Sequence, residues 1–218
     1  MRAYPVVLFD LDGTLLDSTP MIVESLRHTV RTHLDWDPSD TVLIDGIGTP
    51  LKAQFEQHQQ LCGGTVDAAR GAAMLATYLE HNLAIHDARI QAFAGVGAML
   101  ERLKARGARL GVVTSKSTPT ARRGLDVCGL SAAFEVLVGW HDVQQHKPHP
   151  EPVRTALAAL GEPAEHDRVV YVGDSPHDLY SGRAAGVATA AATWGPFTRA
   201  RLAPAAPDHW LEGLHEIR

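Results

Sequence analysis

The sequence predicts an α/β protein: a doubly wound parallel sheet with helices on both faces, interrupted once by an all-helical insertion. Three observations predict it. Short apolar runs end in polar residues, helical patterns closed by glycine alternate with them, and one long stretch has no strand pattern.

The elements follow in order. Val6–Phe9 is a short apolar run ending in Asp10, which reads as a buried strand with a polar residue at its carboxyl end. From residue 17 to 87 only helical patterns occur. Ser18-Thr19-Pro20 is a helix entry with Pro in the first turn, followed by Ile22, Leu26, Val30 and Leu34 at steps of four. Further helices are expected over 51–61 and 66–83, separated by breaks at Pro38-Ser39-Asp40 and Gly63-Gly64. The alternation then resumes. Val96, Leu100 and Leu103 form a helix stopped by Gly107, and a strand over 110–113 ends in Thr114. A helix over 119–128 stops at Gly129, and Val136–Val138 is a weaker strand. A helix over 152–160 precedes Gly161, a strand over 169–172 runs into Gly173-Asp174, and a helix over 176–185 precedes Gly186. The last strand is expected over 187–192, and the Ala/Pro-rich residues 203–207 read as a surface loop. The chain therefore divides into a core, residues 1–16 and 88–218, and an inserted helical lid, residues 17–87.

At 218 residues and 45% hydrophobic, the chain buries a core without disulfides or a structural metal. Cys62 and Cys128 fit reduced thiols, with no Cys-x-x-Cys spacing around either. Met1 leads almost directly into the first strand, leaving no room for a secretory leader, and no apolar run approaches the ~20 residues that span a bilayer. A net charge of −5 argues against nucleic acid as a partner. The expectation is a cytoplasmic protein, monomer or homodimer, bound to neither nucleic acid nor membrane.

Ligands of open parallel sheets bind at the carboxyl ends of the strands. The polar residues there are Asp10, Asp12, Thr114, Ser115 and Asp174, with Asp178 close behind in Gly173-Asp174-Ser175-Pro176-His177-Asp178. Gly13 and Thr14 force a sharp turn after Asp10, bringing Asp12 beside it. Converging carboxylates are costly unless a cation or proton lies between them, and an all-oxygen set suits Mg²⁺. Lys147, in His146-Lys147-Pro148, balances a phosphoryl group or a nucleophilic carboxylate, while Thr114 and Ser115 precede a helix whose free N–H groups receive anions. Carboxylate nucleophile, divalent cation, hydroxyl and lysine together are equipment for phosphoryl transfer.

Four ordered motifs, Asp10-Leu11-Asp12-Gly13-Thr14-Leu15, Val112-Val113-Thr114-Ser115-Lys116, His146-Lys147-Pro148 and residues 173–178, resemble those of the haloacid dehalogenase superfamily of phosphohydrolases. The helical insertion resembles the cap of its phosphoglycolate phosphatase and β-phosphoglucomutase branch. This resemblance implies a Rossmann-like core with a cap, and Mg²⁺ as cofactor. Asp10 would attack phosphorus and touch the metal. Asp12 would act as general acid then base, its backbone carbonyl also ligating the metal. Thr114, Ser115 and Lys147 would hold the phosphoryl oxygens, and Asp174 would be a direct metal ligand. Gly13 supports the turn; Asp178 binds metal through water, supports Lys147, or serves the dipole of the following helix. Lys116 is either a substrate contact or a solvated helix-entry residue. Asp12 favours phosphate over halide chemistry, since the true dehalogenases lack an acid at that place.

The cap resembles the part that selects substrate, with Gly48 and Lys52 as candidate contacts. Residues 17–87 carry four basic and ten acidic side chains, a net −6, against +1 elsewhere, so the substrate expected is a small phosphorylated metabolite. The tail, Trp194-Gly195-Pro196-Phe197 onward, resembles the phosphoglycolate phosphatase and pyrophosphatase subgroup. Hydrolysis of a small phosphate monoester or pyrophosphate through an aspartyl-phosphate is the implied activity. The alternatives are a phosphosugar mutase, against which Thr14 leans, and a non-enzymatic phosphoacceptor module, against which Asp12 and the insertion lean. His141, His146 and His149 read as loop residues, a metal site being the other option.

Overall fold

The structure, a computed structural model, describes residues 1–218. Contacts within the chain divide it into two compact units, Met1–Asp17 with Gln91–Arg218, and Ser18–Ile90.

The first unit holds a six-stranded sheet, all parallel, in the order β3-β2-β1-β4-β5-β6. Its strands are β1 (Val6–Phe9), β2 (Arg109–Val113), β3 (Val136–Val138), β4 (Val169–Gly173), β5 (Ala188–Ala192) and β6 (His209–Leu211). β1 is central, Leu8 lying between Gly111 of β2 and Tyr171 of β4. A parallel sheet is covered on both faces, which explains why β1 and β4 read as continuous apolar runs and are buried at every position. Val6, Leu8, Val169 and Tyr171 pack with Val153, Ala156, Leu157 and Leu160 of the helix Glu151–Leu160. Their neighbours Val7, Phe9, Val170 and Val172, equally buried, point to the opposite face. Gly111 makes room at the centre, since a Cβ there would lie 2.6 Å from Val136 Cγ1 and 2.8 Å from Leu8 Cδ2.

The sixth strand, His209–Leu211, was not legible. It is three residues long, and its pairing with β5 supplies the order that its sequence lacks. The stretch 203–207 is also less exposed than its composition suggests. Residues Ala203–Ala205 make a tight helical turn, and Ala205 is buried.

The helical unit contains α1 (Thr19–Leu34), α2 (Asp40–Asp45), α3 (Leu51–Leu61) and α4 (Ala68–Arg89). Pro38-Ser39-Asp40 is the entry to α2 rather than a simple break. Asp67 caps α4, accepting from the N–H groups of Ala69 and Arg70 at 2.8 and 3.2 Å, and that helix continues past residue 83 to Arg89. α1 and α4 are antiparallel: His33 meets Thr77, Ser25 meets His81 and Asn82, and Glu24 meets Arg89. The core shared by all four helices is Val23, Leu26, Val30, Leu43, Phe55, Met74 and Tyr78. With the unit bounded at 18 and 90, it carries nine acidic and five basic residues, a milder surplus than the span 17–87 suggested. No helix in the chain is long and apolar enough to cross a membrane.

Candidate active site

The carboxyl ends of β1, β2 and β4 are adjacent in the sheet, so the polar residues that end them meet. Asp10 prolongs β1, its N–H donating to Val172 O at 2.9 Å. The chain then folds back sharply, with Leu11 O accepting from Leu15 and Leu16 N–H at 2.9 Å each, and Gly13 at φ +83°. Gly13 is required twice over. Its φ is left-handed, and a Cβ would fall 2.6 Å from Asp174 Oδ2.

Asp174 follows β4 and is wedged between two glycines, because a Cβ on Gly195 would lie 2.4 Å from its own Cβ. The Thr14 hydroxyl donates to Asp174 Oδ1 at 2.8 Å, and Trp194 Nε1 donates to Thr14 O at 3.0 Å, tying the turn in place.

Lys147 is the hub. Its buried ammonium lies 2.7 Å from Asp10 Oδ1, 2.5 Å from Asp178 Oδ1, 3.0 Å from the Tyr171 hydroxyl and 3.2 Å from Val113 O. Asp178 is the third residue of the helix α5 (Pro176–Ala185) and closes a capping box with Ser175. Ser175 N–H and Oγ–H donate to Asp178 Oδ2 at 3.0 and 2.6 Å. One Asp178 oxygen thus accepts from Lys147 and the other from Ser175. The Tyr171 hydroxyl donates to Val113 O at 2.8 Å.

Directly after β2, Thr114 is buried, its N–H donating to Val138 O at 2.9 Å, and Ser115 is half-buried beside it. Lys116 is no solvated residue. Its ammonium pairs with Asp12 Oδ1 at 2.8 Å, with the two side chains only 13% and 18% exposed. Of the candidates, Asp10, Asp12, Gly13, Thr114, Ser115, Lys116, Lys147, Asp174 and Asp178 all lie in the first unit. Gly48 and Lys52 belong to the helical unit, Gly48 in a left-handed turn (φ +91°) and Lys52 exposed in the first turn of α3.

The electrostatics are unbalanced. Oxygens of Asp10, Asp174 and Asp178 all lie within 4.8 Å of one another, against one buried ammonium. Burial, then the charge of Asp178, raises the Asp10 carboxyl to about 7 despite Lys147. Burial and the charges of Asp10 and Asp178 hold Asp174 well above the carboxylate range. Burial also works against ionised Asp178, but Lys147 and Ser175 outweigh it and keep that carboxyl low. The Lys147 ammonium is opposed by burial and held charged by Asp10 and Asp178.

That deficit of positive charge is what a divalent cation relieves, and the all-oxygen donor set fits Mg²⁺. Both oxygens of Asp178 are engaged by protein donors, which leaves Asp10 and Asp174 as the carboxylates suited to direct ligation.

Three participants were not read from the sequence. Tyr171 hides within the apolar run Val-Val-Tyr-Val-Gly, where the phenol is the one polar group and so the available signal. Ser175, three residues before Asp178, was legible as a capping-box spacing. Gly195 had no local signal, because its role is to admit a side chain distant in sequence. The histidines of 141–149 take separate places. The His146 ring stacks on Trp140 at 3.3 Å between centroids, and His149 Nδ1 accepts from Glu151 N–H at 3.2 Å.

Comparison with known proteins is consistent across sequence and structure. The sequence model described as haloacid dehalogenase-like hydrolase matches residues 7–192. The chain is 36% identical over 211 residues to the pyrophosphatase PpaX of Oceanobacillus iheyensis, covering 97% of this chain and 94% of that protein. Its fold is similar to a haloacid dehalogenase-like family hydrolase of Streptococcus pneumoniae, with TM-score 0.85, 23% identity, and 99% and 97% of the two chains covered. It is also similar to a predicted phosphoglycolate phosphatase of Haemophilus somnus, with TM-score 0.88, 23% identity, and 98% and 96% covered.

Proposed function

Because the chain belongs to the haloacid dehalogenase-like hydrolase family, whose members among its relatives are phosphohydrolases, we propose that it is a Mg²⁺-dependent phosphatase of small phosphorylated metabolites or pyrophosphate. One observation carries this reading. Lys147 bridges Asp10 and Asp178 beside Asp174, with Asp12 on the same turn as Asp10, which supports a buried carboxylate nucleophile, a cation seat and a second acid side by side.

In the reaction proposed, Asp10 attacks phosphorus and becomes an aspartyl-phosphate as the leaving oxygen departs. Asp12 gives that oxygen a proton, then takes one from the water that hydrolyses the intermediate. Thr114, Ser115 and Lys147 hold the phosphoryl oxygens, and Asp178 and Tyr171 aim the Lys147 ammonium. Asp10 and Asp174, with the Asp12 carbonyl, hold Mg²⁺, which when bound neutralises the phosphate and the crowded carboxylates. The helical unit is proposed as the cap that chooses the substrate, with Gly48 and Lys52 among its contacts. We place the enzyme in the cytoplasm, as a monomer or homodimer.

The test is release of inorganic phosphate from phosphoglycolate, pyrophosphate, sugar phosphates and p-nitrophenyl phosphate, with Mg²⁺ and with EDTA. Turnover that EDTA abolishes is expected. A stable phosphoprotein at Asp10 with no release would instead mark a phosphoacceptor module.

A further inference from the structure

Apart from the catalytic crevice, the first unit holds a cleft of about 540 Å³, a size that takes one small molecule. Met99 of the helix Val96–Ala105, only 1% exposed, lies at its base, and Phe93, Trp194 and Leu214 line it. Of the lining side chains only Arg102 carries a fixed charge, and none is acidic. Arg102 is clamped rather than paired. Its Nη2 donates to Leu214 O at 3.2 Å and to Ile217 O at 2.9 Å, which uses both hydrogens of that nitrogen. The hydrogens of Nε and Nη1 are left, and no carboxylate pairs with the guanidinium.

We propose that this cleft is a second ligand site, for a small acid with one aromatic ring and one carboxylate, and that its occupancy is felt at the catalytic turn through Trp194. The walls suit a ring, since Phe93 and Trp194 offer aromatic edges and faces and Met99 a polarizable thioether. The cation suits the acid. A single guanidinium with no second fixed positive charge beside it balances one negative charge, which selects a carboxylate over a phosphate dianion.

Trp194 joins the cleft to the site. Its Nε1–H donates to Thr14 O at 3.0 Å, and the Thr14 hydroxyl donates to Asp174 Oδ1 at 2.8 Å. Phe93 N–H donates to Leu15 O at 3.1 Å, so a second wall residue is bonded to the same turn. Gly195, next to Trp194 in sequence, lies so close to Asp174 that a Cβ there would fall 2.4 Å from the Asp174 Cβ. An occupant packed on the indole therefore bears on the turn that carries Asp12 and Thr14 without entering the crevice. Arg102 is exposed, so its charge is worth about fivefold in affinity at low ionic strength, and the ring supplies the remainder.

The test is a proton–nitrogen NMR titration of the full chain with phenylacetate, its neutral isostere phenylacetamide, and acetate, at low ionic strength. Binding is read without turnover, so the outcome is independent of the phosphohydrolase reading. In wild type, phenylacetate should shift the Trp194 indole signal saturably at millimolar concentration and bind about fivefold more tightly than phenylacetamide. Acetate, which has no ring, should give no saturable shift there. The Thr14 and Leu15 amides should follow the indole with the same dissociation constant. Arg102→Gln keeps a donor for the tail carbonyls but loses the charge, and should bring the acid down to the affinity of the amide. Ala98→Leu, an exposed helical position lining the cleft, should fill it and weaken both ring compounds. Equal affinity of acid and amide in wild type overturns the proposal, and so does undiminished binding by Ala98→Leu. A still Trp194 signal with shifts at Asp10 and Thr114 would put the acid in the catalytic crevice instead. Saturation at Trp194 with Thr14 and Leu15 unmoved would overturn the link to the turn.

Discussion

Lys147 is the one buried positive charge among Asp10, Asp174 and Asp178, so its removal and the removal of a carboxylate should have opposite effects on stability. Lys147→Met leaves buried carboxylates uncompensated and should cost about 3–5 kcal/mol in chemical denaturation of the metal-free protein. Asp10→Asn removes a carboxyl that burial already disfavours as an anion, so the metal-free variant should be no less stable than wild type. Its phosphate release should nevertheless fall about a thousandfold or more, since an amide is not a nucleophile. Tyr171→Phe removes the hydroxyl that joins Val113 O to Lys147 and Asp178, and should cost about 1–2 kcal/mol. A Tyr171→Phe protein with wild-type stability would show that this buried hydroxyl is replaceable. At this scale Asp10 and Asp174 stood out because polar side chains directly after buried strands have few structural reasons to be there, and Lys147 stood out as a lone lysine in the loop after a strand of the same sheet. Tyr171 and Gly195 did not, since one is counted as apolar packing and the other acts by what it lacks.

Single elements carry their own conditions. α5 starts with a capping box in which Asp178 serves helix and Lys147 together, so Ser175→Ala should cost about 1 kcal/mol and also slow turnover by loosening Lys147. Loss of stability with unchanged kcat would confine Ser175 to the helix. In the helical unit, His58 is buried on α3 between the rings of Trp36 and Phe55, and its Nδ1 has no hydrogen-bond partner. Burial lowers its pKa to about 4 from 6.5, so the folded state holds it neutral. A depressed pKa means that stability is fully present above the unfolded value and is lost as pH falls towards the folded one. Between pH 7.5 and 5.0 this residue should account for a loss of about 2 kcal/mol. His58→Leu should flatten that part of the profile, and parallel profiles for the two proteins would refute the assignment. Helices and central strands were readable here from periodicity and glycine stops. β6 and α2 were too short for a period to show, and tertiary pairing or a cap decides them instead.

For the molecule as a whole, Mg²⁺ should act as a ligand of the folded state. At a concentration a hundredfold above its dissociation constant it should add about 2.7 kcal/mol and raise the melting temperature. Asp174→Asn should abolish most of that rise, and a Mg²⁺ shift that survives the substitution would place the ion elsewhere. The chain passes between its two units at residues 17–18 and 90–91, borders without a local signal because α4 runs to Arg89 with no stop residue. Those borders have a geometric consequence. Asp17 N–H donates to Gln91 O at 2.8 Å, the Gln91 side chain reaches the Asp17 carboxylate at 3.4 Å, and Leu16 bridges Ala92 in antiparallel register. The outgoing and returning chains therefore leave the sheet-bearing unit side by side, at one hydrogen-bonded gate. Everything between residues 18 and 90 is a cassette whose ends already touch. It can be exchanged, lengthened or shortened through evolution without re-threading a single strand, so the sheet-bearing unit and the helical unit are separately heritable.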